Sequence, residues 1–150
     1  MSKSERTLLA LHALTRFEMV EAASKVAQSI ERRKEAQLQV DVSLERCKRT
    51  AVELRDAMRR EQVNPALIGA MHRFYGREQH SLREWRGHLA STQQYEQEVT
   101  MALAHVRNRE RSLERAMQAE RRKQQLQRDA IENVRADDLW LQQYTDRSAA

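Results

Sequence analysis

The sequence predicts an all-α fold: two long antiparallel helices forming a coiled-coil hairpin, the second helix longer and ending in an unpaired C-terminal overhang. Three observations predict it. The 150 residues hold three Gly and one Pro, too few for the turns that an all-β or an alternating α/β chain needs. Charged residues make up 33% and hydrophobic ones 40%, a balance that buries a stripe rather than a globular core. Apolar residues return in steps of four and three on both sides of the proline, which is the heptad signature.

The length fits one helical-hairpin domain over residues 1–150. Ser4 is placed to cap the first helix, predicted over about 4–61. Its seam reads Met19, Ala23, Val26, Ile30, Arg33, Gln37, Val40, Leu44, Cys47, Ala51, Leu54 and Met58, ten of the twelve being apolar. The break comes at Val63-Asn64-Pro65. Asn64 precedes proline, which biases it away from the helical region, and Pro65 suits a first helical position. The turn is therefore predicted at about 62–65. The second helix follows over about 66–144, interrupted only by Gly69, Gly76 and Gly87, which should make its first quarter its softest part. Its seam runs from Leu67, Met71 and Tyr75 through Leu82, Trp85 and Leu89 to Leu113 and Met117.

A short turn makes the helices antiparallel neighbours. Partners should then have numbers that sum to about 125 or 126. This pairs Met58 with Leu67, Ala51 with Tyr75, Leu44 with Leu82, Val40 with Trp85, Arg33 with Thr92 and Ile30 with Glu96. It also sets Arg16 opposite Glu110 as an ion pair. The first helix runs out opposite residue 121 or so. From Arg122 onward no partner is left, although Ile131, Val134, Leu139, Trp140, Leu141 and Tyr144 lie there.

The excluded classes are as informative. No stretch approaches the roughly 18 apolar residues of a membrane span, and Leu8–Leu14 is too short and too soon charged for a signal peptide. The chain reads as soluble and cytoplasmic. Cys47 is single and on the seam, so a buried thiol is expected. No phosphate-binding glycine motif occurs, and no two histidines among His12, His72, His80, His88 and His105 are four apart. No catalytic residue, cofactor, metal site or small-molecule substrate is therefore expected, and the chain reads as non-enzymatic.

Binding is the remaining role. Net charge is +5. Residues 107–128 hold eight Arg/Lys and three Glu, and residues 129–146 hold five acidic residues and one Arg. Arg121 and Arg122 fall in the basic block. Trp140 and Tyr144 stand four apart on one face beside Leu141, in the acidic one. Near the turn, Tyr75 and Trp85 belong to the seam, whereas Phe74 is off it and is a partner-site candidate. A helix lying in a groove of another protein suits the overhang. Two other readings stay open. A nucleic-acid-binding coiled-coil arm would use the basic blocks, but glutamates interrupt them and no aromatics stand among them for stacking. A self-associating scaffold would pair the overhangs of two copies.

The segment Arg73-Phe74-Tyr75 through Leu82-Arg83-Glu84-Trp85-Arg86-Gly87-His88-Leu89, and the close Asp137-Asp138-Leu139-Trp140-Leu141-Gln142-Gln143-Tyr144, resemble the YscO/FliJ family of type III secretion proteins. The likeness covers most of the chain and is nearer the injectisome branch, with its HrpO-like members from plant-associated bacteria, than the flagellar one. The resemblance implies a central-stalk protein peripheral to the inner membrane at the base of a virulence secretion apparatus. It implies three partners: the hexameric export ATPase ring, entered by the chain ends; the export-gate membrane protein; and secretion chaperones. Phe74 matches an apolar position of the family's gate-facing surface, whereas Glu78 and Ser81 depart from its apolar pattern.

Overall fold

The structure, a computed structural model, describes residues 2–149. It is an all-α helical hairpin of two helices, α1 (Lys3–Met58) and α2 (Pro65–Ala149). No strand occurs among the described residues. No described helix is long and apolar enough to cross a membrane.

The helix ends follow from local chemistry. Asn64 caps α2: its Oδ1 accepts from the amides of Ala66 and Leu67 at 3.1 and 3.4 Å. At the other end the cap is Ser2 rather than Ser4. The Glu5 amide donates to Ser2 Oγ at 3.1 Å, and Ser2-Lys3-Ser4-Glu5 has the spacing of a capping box. α1 stops at Met58, three residues short of the sequence expectation. Reversing the chain takes residues 59–64, so Arg59, Arg60 and Glu61 are spent on the turn despite their helix propensity. α2 continues past residue 144 to Ala149, since nothing between them breaks a helix.

The chain forms two compact bodies, residues 20–105 and, among the described residues, 2–19 with 106–149. In residues 20–105 the core is Val40, Cys47 and Leu82, with Leu44, Tyr75, Trp85 and Leu89 packed against it. The seam of α2 falls where the sequence puts it: from Met71 on, each seam residue is buried or half-buried. Only its start differs, because Ile68 is half-buried while Leu67 is exposed.

The seam of α1 is corrected in part. Val26, Arg33, Val40, Cys47 and Leu54 lie inward as expected, and Ile30, Gln37, Leu44 and Ala51 are half-buried, whereas Ala23 and Met58 are exposed. The more deeply buried column is Ala22, Ser29, Ala36, Ser43, Thr50 and Ala57, each one residue before an expected seam position and seven apart. Ser29 and Ala36 are each only 1% exposed, while Met58 is 55% exposed. This column of small residues lets the helix backbones approach, because interaxial distance follows the side chains at the contact. It also leaves room for the bulk of α2: Ser29 and Ala36 share one hollow with Trp85 and Tyr95. The buried Ser29 hydroxyl bonds within its own helix, to the Val26 carbonyl at 2.7 Å.

One polar layer also differs from expectation. Arg33 does not simply face Thr92. Its guanidinium pairs with Glu96, while the Thr92 hydroxyl bonds to the Leu89 carbonyl at 2.8 Å. Two partly buried charges are less costly together than apart.

None of the three glycines of α2 has positive φ. A Cβ on Gly76 or Gly87 would meet nothing within 4 Å. Their replacement by alanine therefore gains helix propensity at no steric cost. The double variant Gly76→Ala/Gly87→Ala is expected to be more stable by about 1–2 kcal/mol. Thermal unfolding followed by circular dichroism checks this, and an unchanged or lower midpoint would contradict it.

Candidate partner-binding site

The C-terminal overhang belongs to the body made by residues 2–19 and 106–149. Here polar contacts join α1 and α2 beside the half-buried Leu8, Met19, Val106, Leu113 and Met117. Arg109 Nη1 donates to Glu18 Oε2 at 2.9 Å. Arg16 Nε lies 3.7 Å from Glu110 Oε1, the ion pair that the register predicts. At the end of α1, Ser2 Oγ donates to Glu120 Oε1, and Gln124 Nε2 reaches both Ser2 Oγ and Glu5 Oε2, all at 3.3 Å. Gln124 is the last half-buried residue, and every described residue after it is exposed.

Residues 125–149 thus form a helix with no partner among the described residues, about 37 Å long at 1.5 Å per residue. It stays helical because it contains neither Gly nor Pro and is rich in good helix formers. Trp140 and Tyr144 stack on one another, with ring centroids 5.5 Å apart and planes 17° apart. They remain 63% and 62% exposed, and Leu141 beside them 53%. Ile131 and Val134 are exposed too, and they continue the four–three rhythm of the α2 seam beyond Gln124. The overhang thus exposes two apolar features on different faces, Ile131 and Val134 on the continued seam and the stacked Trp140–Tyr144 pair about half a turn round from Ile131, the latter being the kind of side chain that anchors interfaces.

Arg121 and Arg122 are exposed on the last turns that α2 shares with α1. Arg121 lines a hollow with His12, Glu114, Met117 and Gln118. The structure therefore places Arg121, Arg122, Trp140, Leu141 and Tyr144 along one helix of one body. Phe74 lies in the other body and is 47% exposed. The Arg77 guanidinium sits 5.9 Å from its ring centroid, a distance that allows a cation–π contact.

Cys47 is buried in the core of residues 20–105. Burial, and then the carboxylate of Glu78, push its thiol up, with Arg86 opposing them. It is a packing residue with little thiolate to react.

The sequence reading missed one convergence. His12 of α1 meets Glu110 and Glu114 of α2, with the three donor atoms all within 4.8 Å of one another. A search for paired histidines on one helix cannot find it. The signal was the four-residue spacing of the two glutamates, combined with a register that sets them across from His12.

No family model, curated protein or solved structure matches the chain.

Proposed function

We propose that the protein is a non-enzymatic stalk and adaptor of a bacterial type III secretion apparatus. In this reading it couples the hexameric export ATPase to the export gate and engages secretion chaperones, from a cytoplasmic position at the inner membrane. The observation that carries the reading is the overhang: a continuous helix after Gln124, exposed throughout, with Trp140 and Tyr144 stacked in the open. A stacked aromatic pair on a helix that has no partner among the described residues suits a groove in another protein. The chain adds a switch of charge along this segment, basic before residue 129 and acidic after it. The likeness to the YscO/FliJ family names the groove as one in the ATPase ring, with the chain ends as the contact and Phe74 as the contact to the gate.

The test is a pull-down from cell extract on the full chain beside Trp140→Ala/Tyr144→Ala. Both side chains are mostly exposed, so the variant keeps its fold. Recovery of a hexameric ATPase by the parent, reduced roughly 30-fold or more in the variant, is the expected result, since buried aromatic anchors each contribute on the order of 1–2 kcal/mol. Recovery mainly of RNA, equal for both chains and falling steeply with salt, would replace the stalk by a nucleic-acid arm. A concentration-dependent mass, lost on deleting residues 122–150, would replace it by a self-associating scaffold.

A further inference from the structure

Glu110 and Glu114 are four residues apart on α2, so their carboxylates project from one face, a turn apart. His12 of α1 points between them. Its Nε2 lies 3.9 Å from Glu110 Oε1 and 3.8 Å from Glu114 Oε1. Those distances are too long for hydrogen bonds. Nε2 is nevertheless withdrawn from solvent and has no hydrogen-bond partner among the described residues. Such an unpaired buried atom is uncommon and calls for an explanation.

We propose that His12, Glu110 and Glu114 bind a divalent transition-metal ion of the zinc type. Zinc takes nitrogen and carboxylate ligands at about 2.0–2.2 Å, which sets tetrahedral donors about 3.4 Å apart. The two separations from His12 exceed this by about half an ångström, and the two carboxylates come within 4.8 Å of each other. Side-chain torsion closes that gap, because Glu114 is 55% exposed and free to turn. One imidazole and two carboxylates suit zinc, cobalt or nickel, whereas magnesium and calcium demand more oxygens. Arg16 now lies beside Glu110, but its side chain is 66% exposed and can turn into water as the cation arrives. Three protein ligands leave a fourth position for solvent. The ion would satisfy His12 Nε2 and fasten the first turns of α1 to α2. The inference does not depend on the proposed function.

The experiment titrates the full-length protein with zinc chloride by calorimetry, and with cobalt(II) by visible absorption. One zinc per chain is expected, with cobalt bands of tetrahedral intensity and no heat from magnesium at the same concentrations. His12→Ala and Glu114→Gln should each weaken zinc binding more than about tenfold. Glu114→Gln changes a mostly exposed side chain, so it reports on the site even if His12→Ala perturbs the fold. Absence of zinc binding to the parent would overturn the proposal. So would parental zinc affinity in either variant, which would move the ion to another histidine such as His80, 3.1 Å from Glu84.

Discussion

Ala36→Leu is expected to destabilise residues 20–105 by about 1–3 kcal/mol, the usual cost of forcing extra methylenes into a packed site. Ala36 is 1% exposed. It shares its hollow with Trp85, His88 and Tyr95, so a larger side chain must displace α2 or leave its rotamer. The adjacent Gln37→Leu is the control. Gln37 is only half-buried, and its amide donates to Asp41 at 3.0 Å on the exposed side. Its replacement should change stability by no more than about 0.5 kcal/mol. Urea unfolding of both variants checks the pair. Equal effects would mean that α1 does not pack through its small-residue column.

Leu82→Ala is expected to cost about 2–5 kcal/mol, the range for emptying a buried leucine site. Leu82 is the α2 member of the buried trio with Val40 and Cys47. Its surroundings are partly open, because Leu44, Tyr75, Trp85 and Leu89 are only half-buried. They can settle into the space, which puts the expected value at the lower end. Leu126→Ala supplies the baseline: Leu126 is 69% exposed and should show nearly no effect. A loss below about 1 kcal/mol at Leu82 would remove the trio as the centre of packing.

The sequence foretold α2 better than α1, and the reason is chemical. Every large seam residue of α2, from Met71 through Leu82, Trp85 and Val99 to Met117, stands where hydrophobic spacing places it. The inner column of α1 is built of alanine, serine and threonine. Those residues are as common on solvent faces, so hydrophobicity selected only their larger, half-buried neighbours Ile30 and Leu44 and passed over the deeper column. The column had its own signature, one small residue every seventh position from Ala22 to Ala57. The turn was legible because Asn64-Pro65 is local chemistry. The overhang was legible because it needs only a length difference between two helices. The gathering of His12, Glu110 and Glu114 was not, because it depends on which faces two helices present to each other.

The order of contacts along the hairpin has a consequence for how the chain folds. Ala51 and Tyr75 line one hollow near the turn and are only about two dozen residues apart in sequence. The Arg33–Glu96 pair spans 63 residues, Glu18–Arg109 spans 91 and Ser2–Gln124 spans 122. A first contact at the last of these would cost about 1.4 kcal/mol more in closure entropy than one at the first. Made in sequence from the turn, each later contact closes only the few residues added since the previous one. Nucleation therefore favours the Asn64-Pro65 end, and the two helices of the hairpin zip away from it. The contacts of Ser2 and Glu5 with Gln124 are the last to form and the first to open.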